Sequence, residues 1–228
     1  MIPMSPAYTN QFQETYLDSS SLDASTRRWL DEIEPYNRRE VQFDLGQAAL
    51  VVVDTQRFFC EPGYPMYTGN SRFILPRIRL LLEHFRERGR PVIFAAQQNK
   101  GELIDRGDPL RMWWPSVPLE GSREVEIVEE LEPLPSEKVI AKRRYSAFFA
   151  TDLDLTLRSM GVRQVVAAGL YTNVCVEATV RDAFMSDYLV FLPADACAAL
   201  NEQIHLASLR TLAYWYAKVV TVSGLIGR

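Results

Sequence analysis

Residues 163–184 read RQVVAAGLYTNVCVEATVRDAF. The opening run is apolar and β-branched, and the closing stretch, continued through residue 186, has the pattern of a helix. Between them GLYTNVCVE (169–177) carries a cysteine where a buried strand hands over to a helix. Five further runs share the character of the first: QAALVVVD (47–54), RPVIFAAQ (90–97), EKVIAK (137–142), YLVFLPAD (188–195) and AKVVTVSG (217–224). Such near-continuous hydrophobicity marks strands buried on both faces, as in a parallel sheet. Parallel strands need crossover connections, usually helices.

The intervening segments supply them. RFILPRIRLLLEHFRERG (72–89) sets Ile74, Ile78, Leu81, Leu82 and Phe85 on one stripe. SREVEIVEELEP (122–133) reads as a short amphipathic helix. TDLDLTLRSMG (151–161) reads as a helix capped by Thr151, with Asp154 three residues on and Gly161 as its stop. Residues 174–186 and 201–216 complete the set. The alternation predicts an α/β fold of three layers, α/β/α, around a six-stranded parallel, Rossmann-like sheet.

Two regions depart from the pattern. Residues 1–45 are polar, with one helical piece, SSLDASTRRWLDEIEP (20–35), and read as an N-terminal arm on a domain spanning 46–228. Residues 98–121 carry Gly, Pro and paired tryptophans, and read as a structured excursion over the strand ends.

Composition narrows the function. The 228 residues carry a formal net charge of −4 and no Lys/Arg-rich block, which disfavours nucleic acid. No apolar run approaches the roughly 20 residues that span a bilayer, and the first residues lack a signal-peptide layout, so the expectation is a soluble cytoplasmic protein without a membrane partner. The three cysteines, Cys60, Cys175 and Cys197, are odd in number and widely spaced, against a disulfide framework. His84 and His205, the only histidines, lie in helical stretches and match no zinc motif. Both read as surface or packing residues.

In an open parallel sheet, ligands bind beyond the carboxyl ends of the strands. The run 47–54 ends in Asp54, the run 137–142 ends in Lys142, and the run 163–169 leads into the turn bearing Cys175. All three fall on one edge. A carboxylate in reach of a thiol can take its proton and return it to a leaving group. A lysine between them would hold the carboxylate and favour the thiolate. Cys175 at the start of helix 174–186 would also meet free N–H groups able to hold an oxyanion. Each residue alone has an ordinary use: Cys175 as a small hydrophobe, Asp54 as a turn residue, Lys142 as a solvated charge. Their convergence favours a site.

AALVVVDTQRFF (48–59), the motifs Lys-x-x-Tyr-Ser-Ala-Phe (142–148) and Gly-x-x-Thr-x-x-Cys-Val (169–176), and FLPADACAAL (191–200) together resemble the isochorismatase-like cysteine hydrolase superfamily. The resemblance runs from about residue 46 to the end. It implies a catalytic group of Asp54, Lys142 and Cys175, with the cysteine attacking an amide-type carbonyl and water resolving the thioester. It also implies a cis peptide at Leu170–Tyr171 that aims the N–H groups of Tyr171 and Cys175 at one oxyanion. Nicotinamidases of this family hold a metal by an Asp/His cluster after the second strand. The corresponding segment here, AAQQNKGELIDRGDP (95–109), has no histidine, so neither a metal nor another cofactor is expected.

The retained cysteine and the Thr-Asn-x-Cys-Val turn point to hydrolysis of a C–N bond in a small amide, ureido or N-carbamoyl substrate. The alternative is an isochorismatase cleaving a vinyl ether with Asp54 and Lys142, which Gln97 and the run KRRYSAFF (142–149) also fit. Phe58, Gln97, Trp113, Trp114, Tyr145 and Asn173 are the candidate substrate-binding residues, an aromatic wall with few polar groups being usual for small-molecule sites. Arg143 and Arg144 could fork onto a substrate carboxylate or be surface charges. Relatives of this kind are usually dimers or tetramers, and a homo-oligomer is expected.

Overall fold

The computed structural model describes residues 13–101 and 103–227. Helix α1 spans Leu22–Ile33, within the expected N-terminal piece. The sheet then builds from β1 (Ala48–Val53), β2 (Val92–Gln97), β3 (Lys138–Lys142), β4 (Gln164–Leu170), β5 (Leu189–Pro193), the two-residue β6 (Cys197–Ala198) and β7 (Lys218–Val220). Helices α2 (Arg57–Cys60), α3 (Ser71–Glu87), α4 (Asp108–Trp113), α5 (Leu153–Ser159), α6 (Glu177–Met185), α7 (Glu202–Trp215) and α8 (Val222–Ile226) lie between and after them.

The strands pair in parallel in the order β3-β2-β1-β4-β5-β7, with β6 pairing the end of β4. From β1 the chain winds one way to β2 and β3, and from β4 it winds the other way. Right-handed crossovers therefore put α3 and α6 on opposite faces. Every residue of β1, β2 and β4 is buried, which is why those runs show no polar alternation. The stripe expected on α3 is buried throughout.

At the switch between β1 and β4 the backbones come very close. Gly169 pairs with Val53, and its φ is +126°. A Cβ there would lie 2.0 Å from the Val53 carbonyl oxygen. Gly169→Ala combines a strained φ with overpacking, each worth about 1–3 kcal/mol, so a loss of about 3 kcal/mol or more is expected. A lower urea midpoint at unchanged m would show it; a midpoint shift below about 1 kcal/mol would contradict the close approach.

Three expected elements differ. Residues 122–133 form two 3-10 turns, Arg123–Val125 and Glu129–Leu131, not a helix. Their backbone groups are taken by the β1–α2 connection: Arg57 N–H donates to Glu126 C=O at 2.9 Å and Val128 N–H to Thr55 C=O at 3.0 Å. The last strand stops at Val220, because Thr221 caps α8 by accepting from Gly224 N–H at 2.9 Å. Helix α5 begins at Leu153; the Asp154 carboxylate binds Arg158 (3.0 Å) and Tyr188 (2.9 Å) instead of closing a capping box.

Residues 13–33 pack against the start of α3, the turn after β5 and α7. Trp29 and Ile33 of α1 are fully buried, and the Asn70 side chain accepts from Tyr16 and Leu17 N–H at 3.1 and 3.3 Å. No helix among the described residues is long and apolar enough to cross a membrane.

Candidate active site

Asp54 follows β1 directly, with φ +53°, a left-handed conformation that Asp and Asn tolerate best after glycine. Its Oδ1 accepts from Gln97 N–H at 2.9 Å and its Oδ2 from Lys142 Nζ at 2.7 Å. Lys142 ends β3 with its ammonium turned inward, where it also reaches Gln97 Oε1 (3.2 Å) and the Arg144 carbonyl (3.3 Å). Cys175 sits beside both, close enough for its sulfur to act on the protonation of Asp54 and of Lys142. Three strand ends thus bring the three side chains together at the β1/β4 switch, the place where open α/β sheets bind ligands.

None of the three is more than 1 % exposed, and burial is the largest single influence on the protonation of each. Burial raises Asp54 above the ordinary carboxylate range, with Lys142 and the hydrogen bonds from Cys175 and Gln97 pulling the other way. Burial, then the Asp54 charge, raises the Cys175 thiol well above an ordinary cysteine. Burial pulls Lys142 down, but Asp54 and the Cys175 sulfur outweigh it and leave the ammonium favoured. These directions favour the thiol on Cys175 and the ammonium on Lys142, and the 2.7 Å ion pair with Lys142 is what favours the carboxylate on Asp54 against burial: the thiolate forms only when a reaction draws it out.

Leu170–Tyr171 is a cis peptide. Cys175 does not open a helix, as its sequence position suggests. It sits in a π-helical turn, Thr172–Val176, with α6 starting two residues later. The Tyr171 carbonyl accepts from Val174 N–H (3.0 Å) and Val176 N–H (3.2 Å), on either side of the Cys175 amide.

A cavity of about 440 Å³ adjoins this turn. Of the expected substrate-binding residues, Trp113, Trp114, Tyr145 and Asn173 line it, with Trp114 and Tyr145 stacked at 5.7 Å. Phe58 and Gln97 do not. Phe58 is fully buried and packs edge-on against Phe59 at 5.0 Å. Gln97 faces inward, spent on Lys142 and on Asn99 Oδ1 (2.9 Å). Arg143 and Arg144 do not line it either: both hold the excursion, through Asp105 Oδ2 (2.7 Å) and the Asp105 carbonyl (3.0 Å).

Sequence reading passed over Gln56 and the pair Glu177/Arg181. Gln56 accepts from Gln97 N–H at 2.8 Å and donates to Gln97 C=O at 2.9 Å, fixing the strand end that holds Asp54. Arg181 meets Glu177 at 2.6 Å in the cavity wall, a pairing the i,i+4 spacing could have signalled. Among the described residues no group of three or more His, Cys, Asp or Glu side chains is placed to hold a metal ion.

His205 of α7 is fully buried behind the turn, and burial lowers it to about 3. Its neutral form is the folded form, so the unfolded chain binds the extra proton between about pH 6.5 and the folded value. Stability should fall on acidification by about 1.4 kcal/mol per unit in that window. Denaturation of wild type and His205→Leu from pH 8 to 5 checks this: the wild-type curve should fall more steeply, and parallel curves would contradict it.

Residues 48–223 match the isochorismatase domain family, and the chain belongs to that family. It is 34 % identical to nicotinamidase 3 of Arabidopsis thaliana over 176 residues, 76 % of this chain and 84 % of that one. It is 30 % identical to ureidoacrylate amidohydrolase RutB of Caulobacter segnis over 215 residues, 85 % of this chain and 90 % of that one. The crystal structure of a cysteine hydrolase from Pseudomonas syringae pv. phaseolicola 1448A superposes with a TM-score of 0.79 at 30 % identity, covering 82 % of this chain and 94 % of that one.

Proposed function

We propose that this chain is a cysteine hydrolase that cleaves the C–N bond of a small amide or ureido compound through a thioester on Cys175. The observation that carries the reading is the Asp54–Lys142 pair at 2.7 Å, buried from water, with the buried Cys175 beside it. The names of the relatives, a nicotinamidase, a ureidoacrylate amidohydrolase and a cysteine hydrolase, support it.

The sulfur attacks the substrate carbonyl carbon as Asp54 takes the thiol proton. The carbonyl oxygen becomes an oxyanion, held by the N–H groups of Tyr171 and Cys175. The C–N bond breaks as Asp54 passes its proton to the leaving nitrogen. Water, deprotonated by Asp54, then attacks the thioester, and the sulfur recovers its proton. Lys142 keeps the carboxylate ionised between steps and offsets the charge on sulfur.

Trp113, Trp114, Tyr145 and Asn173 border the substrate. Because Cys175 is only 1 % exposed, substrate entry has to shift part of this wall.

A panel of nicotinamide, ureidoacrylate, N-carbamoylsarcosine and isochorismate, read by ammonia release and product mass, tests the reading. Turnover of an amide or ureide supports it. Turnover of isochorismate alone would replace it with vinyl-ether cleavage.

A further inference from the structure

The turn that carries Cys175 is braced from behind by α7 and the N-terminal segment. His205 Nδ1 lies 2.9 Å from Thr172 Oγ1, at the first residue of that turn. One helical turn along α7, Ser208 Oγ lies 3.2 Å from the Thr172 carbonyl, with Glu177 Oε2, at 2.5 Å, the nearer acceptor for its single proton. On its other side His205 packs against Trp29, ring centroids 4.5 Å apart, and Tyr16, 6.0 Å.

These rings are themselves fixed. Trp29 Nε1 donates to Glu202 Oε1 at 2.7 Å, and Ala199 N–H donates to the Tyr16 hydroxyl at 3.0 Å. Trp29, His205 and Thr172 are all fully buried. Among the described residues His205 Nε2 has no hydrogen-bond partner, and the one polar contact of the ring is the threonine. A buried histidine that leaves one nitrogen unsatisfied is a costly choice for filling space, since an orphaned polar group costs about 1–3 kcal/mol. The cost makes sense if the Thr172 contact matters for the turn.

We propose that His205 is a positioning residue for catalysis: wedged between Trp29 and Thr172, it holds the turn at Thr172–Val176 so that the Cys175 sulfur stays against Asp54. The inference rests on the assignment of Cys175 and Asp54 as the reacting pair. It also gives residues 13–33, which lie outside the family match, a task in the chemistry.

The test is the pH profile of Cys175 alkylation by iodoacetamide, a small uncharged amide, on the full chain and read by peptide mass spectrometry. In the wild type the sulfur, buried and beside Asp54, should react with a midpoint above the ordinary thiol value of about 8.5. Freeing the turn lets the sulfur come out of its buried place and leave the carboxylate. Thr172→Val and His205→Gln should each bring the midpoint down by about a unit toward that value. The double variant should match the singles, because one contact is lost, and Thr172→Ser, which keeps the hydroxyl, should restore the wild-type profile.

Midpoints that stay at the wild-type value in the folded variants would overturn the proposal, whatever happens to melting temperature. Thr172→Val changes a hydroxyl for a methyl and decides the matter if His205→Gln does not fold. Asp54→Asn separates the two levels of the argument. If it leaves the midpoint unmoved, or if the wild-type thiol never reacts, the proposed chemistry fails and the positioning role falls with it.

Discussion

Cys175→Ala should abolish hydrolysis of the amide or ureide, lowering kcat by at least about 10³-fold, which is about 4 kcal/mol of barrier. In the proposed mechanism this side chain forms the covalent intermediate, and the oxyanion donors alone cannot split the reaction into two easier steps. The fold should survive. The sulfur occupies little volume, and its loss from a well-packed site costs on the order of 1 kcal/mol. A melting midpoint lowered by no more than about 4 °C, with no turnover, would therefore assign the loss to chemistry. Turnover within tenfold of wild type would remove the cysteine from the mechanism, and survival of isochorismate cleavage in that variant would mark the vinyl-ether reaction instead.

Asp54→Asn should be nearly as severe in rate and worse in stability. Asparagine tolerates the left-handed backbone at this position, so the local fold can persist. The proton shuttle is gone, a loss of about 10²- to 10⁴-fold. Lys142, buried and stripped of its charge partner, should cost about 3–5 kcal/mol of stability.

The pH profile gives the sign. Asp54 has to be ionised to accept the thiol proton, and burial raises its pKa. The acid limb of kcat/KM in the wild type should therefore lie above the ordinary aspartate value of about 4. That limb should vanish in Asp54→Asn. An acid limb that persists in the variant would hand the base role to another group.

The parallel core was legible because strands buried on both faces have no room for polar alternation. QAALVVVD and RQVVAAG could be read as β1 and β4 on that ground alone, and Gly169 gains its meaning only from the backbone it touches. The edge where Asp54, Lys142 and Cys175 meet was legible too, since each ends or follows an apolar run at the same side of the sheet.

What escaped the sequence was set by long-range competition. The segment 122–133 has helical periodicity, yet its backbone bonds and Glu126 are claimed by the connection at Thr55 and Arg57. Phe58 and Gln97 have pocket-like chemistry, but one is sealed behind Phe59 and the other turned toward Lys142. His205 reads as a packing residue on α7, and only its distance to Thr172 ties it to the turn.

The central claim is that the acyl group of the substrate passes through the Cys175 sulfur. Its most direct test is mass spectrometry of the chain quenched in acid during turnover and digested. The peptide bearing Cys175 should gain the mass of the acyl fragment, labile to hydroxylamine and absent without substrate. Continued turnover with that peptide unmodified at every time sampled, or the acyl mass on another residue, would contradict the account.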